Sequence, residues 1–217
     1  MRTIILDFDG TVADTSVAIL ATVKSTLEHF NLPTPDEQAI RQVIGLPLRD
    51  TFTKAANLTD ESLIQACITY YRSGFNDVCK NTILLYPGVK ETLAKLRHAG
   101  LLITIASSRG KDSLLTLLDT LDIKEYMDII IGEQDVALTK PAPDMVNLIL
   151  RQTDTIKEEA LVVGDTVFDI MMGKSAGVKT CGVTYGNHTK ERLLTSNPDY
   201  LVDNFSELTT LILKKSQ

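Results

Sequence analysis

The sequence predicts an α/β fold: a doubly wound, Rossmann-like parallel sheet core interrupted by an inserted all-helical segment. Short, near-continuous apolar runs recur along the chain, the pattern of strands covered on both faces. From residue 86 onward, helical periods of apolar residues alternate with these runs, as crossover helices between parallel strands do. After the first run, by contrast, about 70 residues show helical periods alone.

Taken in order, Thr3-Ile4-Ile5-Leu6-Asp7-Phe8 is a β-rich run closed by Gly10. Ile19, Val23, Leu27 and Phe30 then share one helical face, and Pro33 and Pro35 stop that helix. The segments around Ile40 and Phe52 and the stretch Leu63–Tyr71 also read as helical, with no convincing strand among them. Tyr86-Pro87-Gly88 marks the return. Val89, Leu93 and Leu96 carry a helix, and Leu101 to Ala106 form a strand behind the breaker Gly100. Leu114, Leu117, Leu118 and Leu121 make a full apolar stripe, and Asp128 to Gly132 is the next strand. Val146, Ile149 and Leu150 follow Pro143, well placed near a helix start. Strands over Ala160–Gly164 and Val178–Val183, a weak one at Tyr200–Val202, and a helix through Phe205, Leu208 and Ile212 complete the order. The expected organisation is a core of residues 1–13 and 86–217 with a helical insertion over 14–85.

Composition narrows the function classes. With 217 residues, 44% hydrophobic and 23% charged, the chain can bury a sizeable core as one domain plus a small insertion. A formal charge of −6, from 22 basic and 28 acidic residues, leaves no electrostatic footprint for a nucleic acid or an anionic membrane. No apolar run approaches the ~20 residues of a membrane span, and Asp7 interrupts the first run where a leader's apolar region would continue. Cys67, Cys79 and Cys181 are odd in number and far apart, which fits reduced packing thiols and a cytoplasmic location. His29, His98 and His188 fall in no motif and read as surface or packing residues.

In an open parallel sheet, ligands bind beyond the carboxyl ends of the strands, so the residues placed there matter most. The first strand ends Asp7-Phe8-Asp9-Gly10-Thr11, and strand alternation turns Asp7 and Asp9 to one side. An acidic turn closed by glycine would look the same. However, Asp7 follows directly on three apolar residues, where an unpaired carboxylate is costly and a cation would relieve it. Gly164-Asp165-Thr166-Val167-Phe168-Asp169 ends a second strand with two carboxylates four residues apart, although an aspartate at a helix start is often only a cap. Two strand ends bearing hard oxygen ligands suit Mg²⁺. Ser107, Ser108 and Arg109 end a third strand just before a helix, a place for an anion or for a plain serine cap. Lys140 stands before Pro141-Ala142-Pro143, either fixed by that rigid setting or simply solvated.

Together these residues resemble the four motifs of the haloacid dehalogenase-like hydrolase superfamily: Asp7-x-Asp9-Gly10-Thr11, Ser107 after an apolar strand, Lys140-Pro141-x-Pro143-Asp144, and Gly164-Asp165-x-x-x-Asp169. The insertion is similar to its helical cap, and within the superfamily the chain looks most like phosphoglycolate phosphatases and related pyrophosphatases. The resemblance implies a two-step phosphoryl transfer in which Asp7 is the nucleophile and forms an aspartyl-phosphate, while Asp9 serves as acid and then base. It implies Mg²⁺ held by Asp7, the backbone carbonyl of Asp9 and Asp165. Ser107 and Ser108, with nearby N–H groups, would bind the phosphate, and Lys140 would neutralise it and Asp7. Asp169 would orient Lys140 or the metal's waters, and Thr11 matches the family with a cap role as the plainer reading. Ser107 replaces the commoner threonine, and Thr139 replaces a frequent glycine. Among cap residues Arg49, Arg41 and Lys54 are candidates for reading the substrate, Arg49 first, because a guanidinium suits a carboxylate or second phosphate.

The expected function is hydrolysis of a small phosphorylated metabolite by a monomer or homodimer, with no nucleic-acid or membrane partner. Phosphoglycolate leads, followed by pyrophosphate, sugar phosphates and nucleotides. A dehalogenase of this fold does not use the second aspartate, so Asp9 argues against one. A phosphomutase stays open. A non-catalytic phosphate-binding relative would have no need of Asp9 as an acid.

Overall fold

The computed structural model describes residues 1–79 and 82–213, with only the backbone for 76–79, so the expectation for the Cys79 thiol lies outside the described residues. The elements run β1 (Thr3–Leu6), β2 (Ala13–Asp14), α1 (Ser16–His29), α2 (Glu37–Arg41), α3 (Leu48–Asp50) continuing into a π turn (Thr51–Ala55), α4 (Glu61–Cys79) and β3 (Leu84–Leu85). There follow α5 (Val89–His98), β4 (Leu102–Ala106), α6 (Lys111–Thr120), β5 (Ile129–Ile131), α7 (Asp144–Thr153) and β6 (Ala160–Gly164). The chain then forms α8 (Val167–Ala176), β7 (Lys179–Val183), α9 (Lys190–Thr195), β8 (Tyr200–Val202) and α10 (Glu207–Leu213).

Among the described residues, six strands form one sheet in the order β5-β4-β1-β6-β7-β8, and every pairing in it is parallel. Thr3 pairs with both Leu102 and Ala160, which puts β1 at the centre. The chain winds outward from β1 through β4 to β5, then returns to β6 and winds the other way. That reversal opens a crevice beyond the carboxyl ends of the central strands, the usual ligand position in such sheets. Both faces are covered. Ile4 and Leu6 pack into a core shared with α1, α4, α5, α6 and α10, whereas Ile5, between them, packs with Met145, Val146 and Ile149 of α7 and Met172 of α8. One strand therefore feeds two cores by simple alternation, and its wholly apolar sequence follows from that.

Two details depart from the sequence reading. The first strand is shorter than the apolar run: β1 ends at Leu6, and Asp7 adds one more ladder bond, its N–H donating to the Val163 carbonyl at 2.9 Å. The expected strand-free insertion is bracketed by a two-stranded antiparallel ribbon, Ala13 opposite Leu85 and Asp14 opposite Leu84. Strands of two residues leave no periodicity to detect. Among the described residues, no helix is long and apolar enough to cross a membrane.

Candidate active site

The strand-end residues singled out by spacing converge on one crevice. Lys140 is buried, and its Nζ lies between two carboxylates, hydrogen-bonded to Asp7 Oδ1 and 2.6 Å from Asp169 Oδ1. The other oxygen of Asp169 accepts from the Thr166 N–H at 3.0 Å and the Thr166 hydroxyl at 2.6 Å. This is a capping box: Thr166 caps α8 while Asp169 reaches back from its first turn. Asp169 is thus fully engaged in starting the helix and holding the lysine. Ser107 and Ser108 close β4; Ser107 Oγ accepts the Arg109 N–H at 3.2 Å, and Ser108 Oγ donates to the Gly45 carbonyl at 2.8 Å, tying the sheet to the helical segment.

Asp165 is buried at the end of β6. Its Oδ1 accepts from Thr11 Oγ1 at 3.1 Å, and its Oδ2 from the backbone N–H and side-chain amide of Asn187 at 2.6 and 2.8 Å. Gly10 makes this approach feasible: its φ is +91°, and a Cβ there would lie 2.2 Å from both Asp165 Oδ2 and Asn187 Nδ2. Thr11 is held from its other side, its carbonyl accepting from the Tyr185 hydroxyl at 2.8 Å.

The electrostatics of this cluster are unbalanced. Asp7, Asp165 and Asp169 have carboxylate oxygens within 4.8 Å of one another, and Lys140 is the cation paired among them. Burial pushes the Asp7 carboxyl well above its usual range, Lys140 opposing and the other aspartates adding to the rise. Burial, and then Asp169, push Asp165 up to about 7 against the hydrogen bonds from Asn187 and Thr11. Burial alone would weaken the hold of Lys140 on its proton, but the charges of Asp169 and Asp7 outweigh it and the lysine stays an ammonium. Three carboxylates against one ammonium leave a deficit that protons or a divalent cation must fill. The donor set fits Mg²⁺: hard oxygens, among them Asp7 Oδ2, which is buried without a hydrogen-bond partner. Asp7 and Asp165 are the carboxylates available to it, since Asp169 is committed to Lys140 and Thr166.

Asp9 faces a different partner. Its Oδ1 and Oδ2 accept from Arg109 Nη2 and Nε at 2.6 and 3.1 Å, a two-pronged ion pair that is largely buried. Asp7, Asp9, Ser107, Ser108 and Arg109 all line a cleft of about 340 Å³, whose far wall is Ile44, Leu46, Leu48, Tyr71, Arg72 and Phe75 of the helical segment. The expected substrate readers Arg41, Arg49 and Lys54 are not among the residues lining it. Arg49 is exposed and pairs with Glu61 at 2.5 Å, and Lys54 pairs with Asp50 at 2.8 Å. Their helix turns them outward, which charge alone does not reveal.

Arg72 and Asn187 are cleft and site residues absent from the sequence reading, and Arg109 entered it only as part of the Ser107-Ser108-Arg109 strand end, with no role of its own. Arg109 directly follows Ser107-Ser108, and Gly186-Asn187 is a turn pair just past a predicted strand end, so both carried a positional signal. His188 is buried; its Nδ1 accepts the Val167 N–H at 3.1 Å, and burial pushes the imidazole down to about 4, in keeping with a packing residue.

Comparison with known proteins agrees with this arrangement. The model of the haloacid dehalogenase-like hydrolase family matches residues 4–183, a span that holds every strand-end carboxylate described above. The chain is 34% identical to the Dickeya dadantii (strain 3937) protein named "Probable phosphatase IndB", over 94% of this chain and 90% of that protein. It is 30% identical to the pyrophosphatase PpaX of Bacillus anthracis, over 98% of this chain and 96% of that one. The crystal structure of a predicted phosphatase from Clostridium acetobutylicum superposes with a TM-score of 0.88 at 26% identity, covering 98% of each chain. Matched over most of its length and folded alike, the chain belongs to the haloacid dehalogenase-like hydrolase family.

Proposed function

We propose that the protein is a Mg²⁺-dependent phosphatase that hydrolyses a small phosphorylated metabolite through an aspartyl-phosphate. The observation that carries this reading is the asymmetry of Asp7. Lys140 holds one of its oxygens, and the other is buried, unpartnered and set in the wall of an open cleft. Asp7 attacks phosphorus with its carboxylate, the kind of nucleophile that splits one hard displacement into two. Asp9 gives a proton to the leaving oxygen and then takes one from the attacking water. Ser107 and nearby backbone N–H groups hold the transferred oxygens, Lys140 offsets their charge, and Asp169 keeps Lys140 in place. Burial favours the protonated form of Asp7 more strongly than Lys140 can offset. Bound between Asp7 and Asp165, Mg²⁺ would supply the missing positive charge and lower the repulsion between nucleophile and phosphate.

On this reading the segment 14–85 is a cap over the core formed by residues 1–13 and 86–217, and it excludes water from the cleft. Phosphoglycolate is the favoured substrate and pyrophosphate the second, in line with relatives named as phosphatase and pyrophosphatase. The enzyme works in the cytoplasm as a monomer or homodimer. The test is inorganic phosphate release from phosphoglycolate, pyrophosphate, sugar phosphates and nucleotides, with Mg²⁺ and with EDTA. Release that depends on Mg²⁺ and falls about 10³-fold or more in Asp7→Asn is expected. Turnover by Asp7→Asn within about tenfold of the unsubstituted protein would refute covalent catalysis by Asp7.

A further inference from the structure

The proposed reaction requires Asp9 to bring an oxygen to the leaving group, yet Arg109 occupies both of its oxygens. The guanidinium is itself well anchored: Nη1 donates to Ser113 Oγ at 3.1 Å, and Cζ lies over the Phe75 ring, 4.3 Å from the centroid. Its side chain is only 8% exposed. The fork is therefore a fixed part of the cleft wall. The other charged groups lining the cleft are Asp7, Arg72 and Asp112. Arg72 is bound to Glu133, and Asp7 to Lys140.

We infer that Arg109 is the specificity-determining residue of this reaction: it clasps Asp9 and exchanges it for a second anionic group on the substrate, which releases Asp9 toward the leaving oxygen. The inference rests on the phosphatase reading above. Reach sets the substrate class. Because Arg109 touches Asp9, and Asp9 must touch the leaving oxygen, the competing anion lies within a bond or two of that oxygen. Phosphate esters with a carboxylate on the adjacent carbon meet this condition, and so do diphosphates. A carboxylate or phosphate offers the guanidinium the same paired acceptors that Asp9 gives up. An ester with a neutral alcohol has nothing to exchange, and Asp9 stays clasped.

The experiment compares kcat/KM for phosphoglycolate and pyrophosphate with that for ethyl phosphate, in which a methyl group replaces the carboxylate of phosphoglycolate, in the unsubstituted protein and in Arg109→Leu and Arg109→Lys. The unsubstituted protein should prefer at least one substrate with a second anionic group over ethyl phosphate by about tenfold or more, the usual weight of a hydrogen bond to a charged group. Arg109→Leu should erase that preference, and Arg109→Lys, with charge but no fork, should restore part of it. Preference for phosphoglycolate alone marks a carboxylate as the competitor, and for pyrophosphate alone a phosphate. Equal turnover of ethyl phosphate by the unsubstituted protein overturns the inference and needs no variant. So does a preference that survives in folded Arg109→Leu. Phosphate release from none of the three overturns the inference, and the phosphatase reading is judged separately on its wider panel.

Discussion

Asp165→Asn should make the metal-free protein more stable than the unsubstituted one at pH 8, with a much smaller difference at pH 5. In the fold, the Asp165 carboxyl is pushed from 3.8 to about 7 by burial and by Asp169. A raised carboxyl binds its proton more tightly when folded than when unfolded. Its contribution is therefore fully present below about 3.8 and is lost as pH rises through about 7. At about 1.4 kcal/mol per tenfold change in proton affinity the whole loss is on the order of 4 kcal/mol, of which about 3 fall between pH 5 and pH 8. The amide carries no charge to desolvate. It also fits the donors present: its oxygen can accept from both nitrogens of Asn187, and its NH₂ can donate to Thr11 Oγ1, whose hydroxyl is free to turn. Urea unfolding in EDTA at pH 5, 6, 7 and 8 reads the effect, with the variant gaining about 3 kcal/mol on the unsubstituted protein across that window. Saturating Mg²⁺ at pH 8 should reverse the order, because the cation then stabilises the carboxylate it binds. Stability curves that run parallel from pH 5 to pH 8 would sink the account of Asp165.

Two further substitutions test the same cluster from other sides. Lys140→Ala leaves Asp7 and Asp169 buried without their ammonium, and should lower stability by about 3–5 kcal/mol in urea unfolding at pH 8. A loss below about 1 kcal/mol would mean the pair is dispensable to the fold. Gly10→Ala drives a methyl group into Asp165 and Asn187 at a positive φ. It should cost about 2 kcal/mol or more and weaken Mg²⁺ binding measured by calorimetry, and unaltered binding would count against this packing.

The sheet was legible because parallel strands buried on both faces must be apolar throughout, and Ile4, Ile5 and Leu6 obey that demand. The strand-end aspartates were legible for the opposite reason: Asp7 and Asp165 are charges set where apolar sequence should continue. The Asp9–Arg109 fork was not, because it joins side chains 100 residues apart whose directions no periodicity records. The same limit applies to Arg49. On a short exposed helix its charge was visible, but the neighbour it faces, Glu61, was not. The β2–β3 ribbon escaped because its pairing, and not its composition, defines it.

That ribbon has a consequence for how the molecule can be altered. Ala13 lies opposite Leu85, and beside them the Tyr86 N–H donates to the Val12 carbonyl at 3.1 Å, so the chain leaves the sheet layer and rejoins it at a single point. The roughly 70 residues between them form a detachable loop in the topological sense, whose ends are already closed and whose length bears only weakly on the entropy of closing them. Shortening, lengthening or exchanging that loop with a relative's need not disturb the strand order. The protein is in this respect a socket with an interchangeable fitting: chimaeras joined at Ala13 and Leu85 would exchange the far wall of the cleft, from Ile44 to Phe75, and leave Arg109 and the aspartates in place.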